Sequence, residues 1–137
     1  MSAEVRPCRP DELAAVLRLW DGARSEHAVT EDTPERVAAL RATGALLVAV
    51  DDDEVVGAVI AGFDGWRGNF YRLAVAPAFR RRGIGRALVA AGEARLRALG
   101  APRVTALVAF DDEAASGFWE AAGYPRDPVM GRRVRSL

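Results

Sequence analysis

Nineteen residues of this 137-residue chain are basic, and none is lysine; all are arginine. That absence removes the phosphate-loop nucleotide hydrolases, whose motif closes on Lys-Ser/Thr, and every mechanism built on a lysine Schiff base. One histidine, His27, and one cysteine, Cys8, are too few for a His/Cys zinc site, so no metal is expected. A lone cysteine cannot close an internal disulfide, which points to a reducing, cytoplasmic setting. No apolar run approaches the ~18 residues of a membrane span, and the opening residues lack the basic-then-apolar order of a signal peptide. Neither membrane insertion nor export is expected. Net charge is absent too, with 19 basic residues against 19 acidic ones, whereas a nucleic-acid partner usually requires a net basic surface.

Half of the residues are hydrophobic and 28% are charged, the balance of a globular chain. Folding a chain of this size buries roughly 68% of its extended surface, enough for a core without metal or disulfide. One domain spanning residues 1–137 is expected. The charges are segregated: residues 1–64 hold six arginines and thirteen carboxylates, and residues 65–137 hold thirteen arginines and six carboxylates. A local anion site in the second half fits this polarity, and an accidental distribution of surface charge is the bland alternative.

Apolar periodicity predicts alternating elements. A strand over Glu4–Cys8 precedes a helix with the stripe Leu13, Val16, Leu17 and Trp20, ending near Gly22. Thr33-Pro34-Glu35 reads as N-cap, first-turn proline and first-turn acid of a second helix, which Gly44 stops. Ala45–Val50 and Val55–Phe63 form a hairpin about an aspartate turn, and Phe70–Val75 is a third strand that Pro77 ends. A long helix over Gly83–Leu99 places Ile84, Leu88, Gly92, Leu96 and Leu99 on one face. Val104–Val108 reads as a strand buried on both faces. Glu113–Ala122 reads as a last helix, and Val129, Met130 and Val134 mark a terminal edge hairpin.

The segment Leu73-Ala74-Val75-Ala76-Pro77-Ala78-Phe79-Arg80-Arg81-Arg82-Gly83-Ile84-Gly85-Arg86-Ala87-Leu88 carries the chemistry. A strand ends, arginines follow, and a helix opens with two glycines. The first turn of a helix has unpaired N–H groups at the positive end of its dipole, and glycine lets an anion approach them. A pyrophosphate would rest on Arg82–Ala87. A dinucleotide site and a purely structural origin compete with this assignment. The dinucleotide fingerprint Gly-x-Gly-x-x-Gly has Leu88 at its third glycine and lacks the acidic residue of the next strand. A structural origin, with packing glycines and solvated arginines, leaves the coincidence of strand, arginines and glycines unexplained.

Arg80-x-x-Gly83-x-Gly85 after Leu73-Ala74-Val75 resembles the acyl-coenzyme A signature of the GNAT N-acetyltransferase superfamily, Arg/Gln-x-x-Gly-x-Gly/Ala. The tail Asp112-x-x-Ala115-x-x-Phe118-Trp119-x-x-x-Gly123-Tyr124 is similar to that family's Asn-x-x-Ala-x-x-Phe-Tyr-x-x-x-Gly-Phe, and nearly the whole chain follows its element order. Within the superfamily, the Asp-Gly-x-Arg-Gly turn at 64–68 resembles that of small bacterial acetyltransferases of unassigned substrate. The resemblance implies an α/β (α+β) GNAT fold, with a mixed central sheet of six to seven strands flanked by about four helices. It implies acetyl transfer from acetyl-CoA to a primary amine, a small cationic molecule or a peptide or protein N-terminus, by direct attack in a ternary complex. Main-chain groups of Leu73, Ala74 and Val75 would hold the pantetheine arm, and Arg81, Arg82, Gly83, Ile84, Gly85 and Arg86 the pyrophosphate. Arg80 or another basic side chain would meet the 3′-phosphate. Strands Phe70–Val75 and Val104–Val108 would splay apart to admit the thioester.

The chain departs from the family where proton transfer is concerned. The usual acid, a tyrosine, is replaced by Trp119, whose indole N–H cannot give up a proton at accessible pH. A coenzyme A thiolate, with a pKa of about 8.5, can leave unaided or take its proton from water. No carboxylate occupies the base positions within Asn69-Phe70-Tyr71 or Ala106-Leu107-Val108. Asp64, Asp111, Glu120, and Tyr71 through water, are the remaining catalytic candidates, each also readable as a surface or packing residue. Asp112 stands in for the customary asparagine, as a cofactor contact or as the N-cap of the last helix. Trp66 and Arg67 line the amine entrance or simply form an exposed turn. His27, near Glu26, Glu31 and Asp32, is a substrate contact or a solvated loop residue. The acidic first half would favour a cationic amine. An acyl-CoA-binding sensor or partner domain with little turnover is the rival function. A homodimer, through an added C-terminal strand, is compatible with the residues.

Overall fold

The computed structural model describes residues 3–23, 27 and 30–137; Glu26, a sequence neighbour of His27, lies outside them. The backbone gathers into two compact units, 1–107 and 108–137. The first unit contains strands β1 (Glu4–Pro7), β2 (Leu46–Asp51), β3 (Glu54–Phe63), β4 (Gly68–Val75) and β5 (Val104–Ala106), with helices α1 (Leu13–Gly22), α2 (Pro34–Ala42) and α3 (Ile84–Ala98). The second contains α4 (Glu113–Ala121).

The strands form one mixed sheet in the order β1-β2-β3-β4-β5, antiparallel up to β4, with β4 and β5 parallel across the α3 crossover. Five strands among the described residues correct the expected six to seven. The missing pair is the terminal hairpin. Val129, Met130 and Val134 are exposed and in no strand, and Asp127 Oδ1 accepts from the amides of Val129 (2.8 Å) and Met130 (3.0 Å). A side chain that caps following amides offers the backbone a turn in place of a ladder. The C-terminal strand through which a homodimer would be compatible with the residues is not formed among the described residues.

Local chemistry explains the other boundaries. Thr33 Oγ1 accepts from Arg36 N at 3.2 Å, capping α2 ahead of Pro34. Asp52 and Asp53 take φ of +50° and +63° between paired Asp51 and Glu54, the two left-handed residues of a tight hairpin. β5 is shorter than expected, and Thr105 is exposed with Val104 and Ala106 half-buried, so the strand buried on both faces is β2, flanked by strands on either side. Leu99, assigned to the buried face of the long helix, is instead 45% exposed at its C-terminal end.

Each sheet face has its own helices. Val16 and Trp20 of α1 and Val37 of α2 pack with Cys8, Leu46, Val48, Ala58 and Ala74. On the other face α3 approaches so closely that a Cβ at Gly92 would fall 2.3 Å from the ring of Phe70, and one at Gly68 would fall 2.8 Å from Leu96. Arg95 locks the far end of α3, donating Nε to the Ala61 carbonyl at 3.1 Å and Nη2 to that of Thr43 at 3.3 Å. α3 is thereby seated across β3 and β4, with its N-terminus beyond the end of β4.

Candidate functional site

The site begins with an irregularity in β4. Ile60 pairs with Tyr71 and Ala58 with Ala74, so β4 carries one more residue than β3 across this interval. Such a bulge reverses the facing of every side chain beyond it. Phe70 faces α3, whereas Ala74, four residues on, joins the α1–α2 core. Arg72 absorbs the extra residue with φ +55°. Tyr71, 42% exposed, faces away from Phe70 and hence toward the side that bears α1 and α2.

The partner strand leaves at the same place. β5 pairs with β4 only at Gly68, Asn69 and Phe70, so the edge of β4 from Tyr71 to Val75 has no strand beside it among the described residues. Ala76 N donates to Val56 O at 2.8 Å, which points Ala76 toward β3. By the alternation of strand backbone, Val75 points the other way, into the opening, and its carbonyl there accepts from Arg80 Nε at 3.3 Å. The splay implied by the resemblance is present, and the amide edge around Leu73 and Val75 is open to an extended ligand.

Beyond β4, Pro77–Phe79 makes a short 3-10 turn and the chain enters α3 through two left-handed residues, Arg81 (φ +64°) and Gly83 (φ +79°). Gly83 is the N-cap, with no side-chain cap, and the first helical bond runs from Ala87 N to Gly83 O at 3.0 Å. The amides of Ile84, Gly85 and Arg86 are therefore unpaired within the helix, and a left-handed residue followed by right-handed ones turns successive N–H groups inward as an anion-binding nest. A Cβ at Gly83 would meet nothing within 4 Å, so the space before these amides is open. Arg81, Arg82 and Arg86 are exposed, and no ion pair engages them among the described residues. Arg82 is held by stacking, its guanidinium 4.9 Å from the centre of the Phe79 ring. Open amides, cations without carboxylate partners and a free strand edge, all on consecutive residues, fit a long ligand with a pantetheine-like arm and a diphosphate.

The catalytic candidates are divided between the two units. Asp64 Oδ1 accepts from the amides of Trp66 and Arg67, both at 2.8 Å, and these bonds hold its carboxyl below the ordinary value. A carboxylate so occupied is a poor proton acceptor; it shapes the β3–β4 turn, in which Trp66 and Arg67 are exposed. Asp111, Asp112, Trp119 and Glu120 belong to the second unit. There Asp112 Oδ1 caps α4 by accepting from Ala115 N at 3.0 Å, and Trp119 packs edge-on against Phe118 and Tyr124. Asp111 and Glu120 are exposed, as is His27. Cys8 is buried, and burial pushes its thiol up to about 11, which excludes it as a nucleophile. Sequence reasoning missed Arg72 entirely, because a non-glycine residue at a bulge leaves no local signature.

Comparison with known proteins agrees with the geometry. A family model described as the acetyltransferase (GNAT) family matches residues 12–124. An acetyltransferase of Pectobacterium atrosepticum is 36% identical over 124 residues, covering 88% of this chain and 86% of that protein. Among solved structures, an aminoglycoside acetyltransferase from an uncultured soil metagenomic sample, in complex with sisomicin, superposes with a TM-score of 0.79 at 17% identity, over 98% of this chain and 96% of that one. AAC(6')-Iy, in complex with the bisubstrate analogue CoA-S-monomethyl-acetylneamine, also reaches 0.79 at 17% identity, over 99% and 100%. Both structures share the fold. With the relative at 36% identity and a family match across most of its length, the chain belongs to the GNAT family and is an acetyl-CoA-dependent N-acetyltransferase.

Proposed function

We propose that the protein acetylates a primary amine, carried by a small cationic molecule or a peptide or protein N-terminus, by direct attack within a ternary complex. The observation that carries this is the joint opening at the end of β4: a strand edge from Tyr71 to Val75 with no partner strand among the described residues, leading into amides at Ile84–Arg86 that are unpaired within the helix. Leu73 and Val75 hold the pantetheine arm as a strand would, with Ala74 between them. Arg81, Arg82, Gly83, Ile84, Gly85 and Arg86 hold the diphosphate, and Arg80 or another basic side chain would meet the 3′-phosphate. Bound acetyl-CoA supplies the acetyl group as a thioester. The family match runs across both compact units, which supports treating 1–137 as one functional domain.

The amine arrives from the α1–α2 side, where Tyr71 is exposed and the first half of the chain carries thirteen carboxylates against six arginines. Complementary charge concentrates a cation there. Tyr71 relays the ammonium proton to water, a role that the lowered pKa of Asp64 in its turn suits less well. Trp119 stands where the family carries a tyrosine, and its indole N–H cannot serve as an acid, so the departing thiolate takes its proton from water.

Calorimetry with acetyl-CoA, together with thiol release across a panel of amines, tests the proposal. Gly85→Leu places a side chain before the open amides and removes at least one charge-assisted hydrogen bond. It is expected to weaken acetyl-CoA binding about 30- to 100-fold. Unchanged affinity, or binding without turnover on every amine, refutes it.

A further inference from the structure

The proposed acetyl transfer makes no use of the side chain of Arg72, the residue that absorbs the β4 bulge. Its carbonyl accepts from Trp20 Nε1 at 2.8 Å. Its guanidinium reaches the other way: Nη2 donates to the Thr30 carbonyl at 2.8 Å and pairs with Asp32 Oδ1 at 2.9 Å. The two side chains of that pair are 20% and 15% exposed, shielded from water in a way that Arg81, Arg82 and Arg86 are not. Between the two anchored residues, the Glu31 carbonyl accepts from Arg36 Nη1 at 2.9 Å, so three consecutive residues ahead of the Thr33 cap are tied down.

Arg72 neighbours Tyr71 and lies where β4 has just parted from β5. A left-handed φ is uncommon for arginine, and glycine would satisfy the bulge with less strain. The bulge therefore does not explain the side chain, whereas the two bonds across 42 residues of sequence to Thr30 and across 40 to Asp32 do. They join the acidic approach to α2 to the stretch of β4 beside which transfer takes place.

We infer that Arg72 is a positioning residue for the acceptor: through Asp32 and Thr30 it holds the acidic segment before α2 in register with Tyr71, and so sets the affinity for a cationic amine. This rests on the proposed amine-acceptor function. It assigns specificity to a side chain that holds neither the diphosphate nor the pantetheine arm.

Arg72→Gly separates the two roles of the position. Glycine keeps the left-handed backbone and the Trp20 bond while the guanidinium strut is lost. Amide hydrogen exchange at residues 30–33 is expected to rise about tenfold with no loss of Tm. With spermidine as the probe amine, KM for spermidine is expected to rise about five- to tenfold, with kcat and KM for acetyl-CoA within about twofold. Asp32→Ala should shift both readouts in the same direction but by less, because it leaves the Arg72–Thr30 bond, and the double variant should fall short of the sum of the two single ones, because both cut the Arg72–Asp32 pair. Unchanged exchange at 30–33, additive penalties, or equal rises in both KM values overturn the inference. If the native protein acetylates neither spermidine nor any other amine, the amine-acceptor function fails, and the exchange experiment still decides whether Arg72 anchors the segment.

Discussion

In the proposed reaction β4 serves two sides with two differently built regions, and each contains an arginine in a conformation arginine seldom takes. On the donor side Arg81 (φ +64°) lies in a contiguous loop, among amides and cations supplied by neighbours in sequence. On the acceptor side Arg72 (φ +55°) connects residues 40 and more positions away in the chain. The proposed donor side is made of backbone geometry, suited to a ligand common to a whole family. The acceptor side is made of converging side chains, which is where specificity for one amine can be altered without disturbing the donor.

The contrast can be broken from the donor side first. Gly92→Ala would place a methyl group 2.3 Å from Phe70, a side chain fully buried in the core. Overpacking of this kind costs about 1–3 kcal/mol, and pushing α3 away from β4 would displace its N-terminal amides. A fall in Tm together with weaker acetyl-CoA binding is expected by thermal melts and calorimetry, with KM for the amine changed least.

Arg81→Gly sharpens the comparison, since it applies the change tested at Arg72 to the other side. Relief of the left-handed strain should add about 0.5–1 kcal/mol of stability, while loss of a cation should weaken acetyl-CoA binding about five- to tenfold. Arg72→Gly should show the opposite selectivity, raising KM for the amine alone. If both variants alter the same KM, the two sides are not separable.

The smallest effect concerns neither side and serves as a control on the scaffold. Arg6 Nη1 and Nη2 donate to Glu12 at 2.8 and 2.7 Å, and these bonds hold the Glu12 carboxyl below its ordinary value. A lowered folded-state pKa contributes stability that is present above the unfolded value, about 4.3, and is lost as pH falls through the folded value. Glu12→Gln should therefore cost about 1 kcal/mol or less at pH 7 and flatten the acid limb of stability against pH in denaturant titrations.

Much of this architecture was legible in the order of residues. The apolar stripe of α1, the Thr33 cap, the aspartate hairpin and the entry into α3 each depend on neighbours within a few positions. The elements of the proposed donor cradle could be read for the same reason: Leu73 to Leu88 supply strand edge, cations and amides in one stretch. The failures are equally physical. Val129, Met130 and Val134 looked like a strand by composition, but Asp127 bends the chain ahead of them. Val104–Val108 looked doubly buried, but β5 is an edge, and no periodicity reports how many neighbours a strand will have. Asp64 is readable from sequence as a base or as a surface residue, and only the structure shows its Oδ1 accepting from two turn amides.

By itself the sequence determined the order of elements, the polarity of charge and the anion cradle at the head of α3, because helix ends, turns and caps are decided by contacts a few residues apart. Only the tertiary structure decided that β5 parts from β4 after Phe70, that the bulge turns Tyr71 and Ala74 to one face, and that Arg72 reaches Thr30 and Asp32. Those features depend on register between strands and on side chains meeting across 40 positions, and a one-residue shift in pairing, invisible in composition, reverses every one of them.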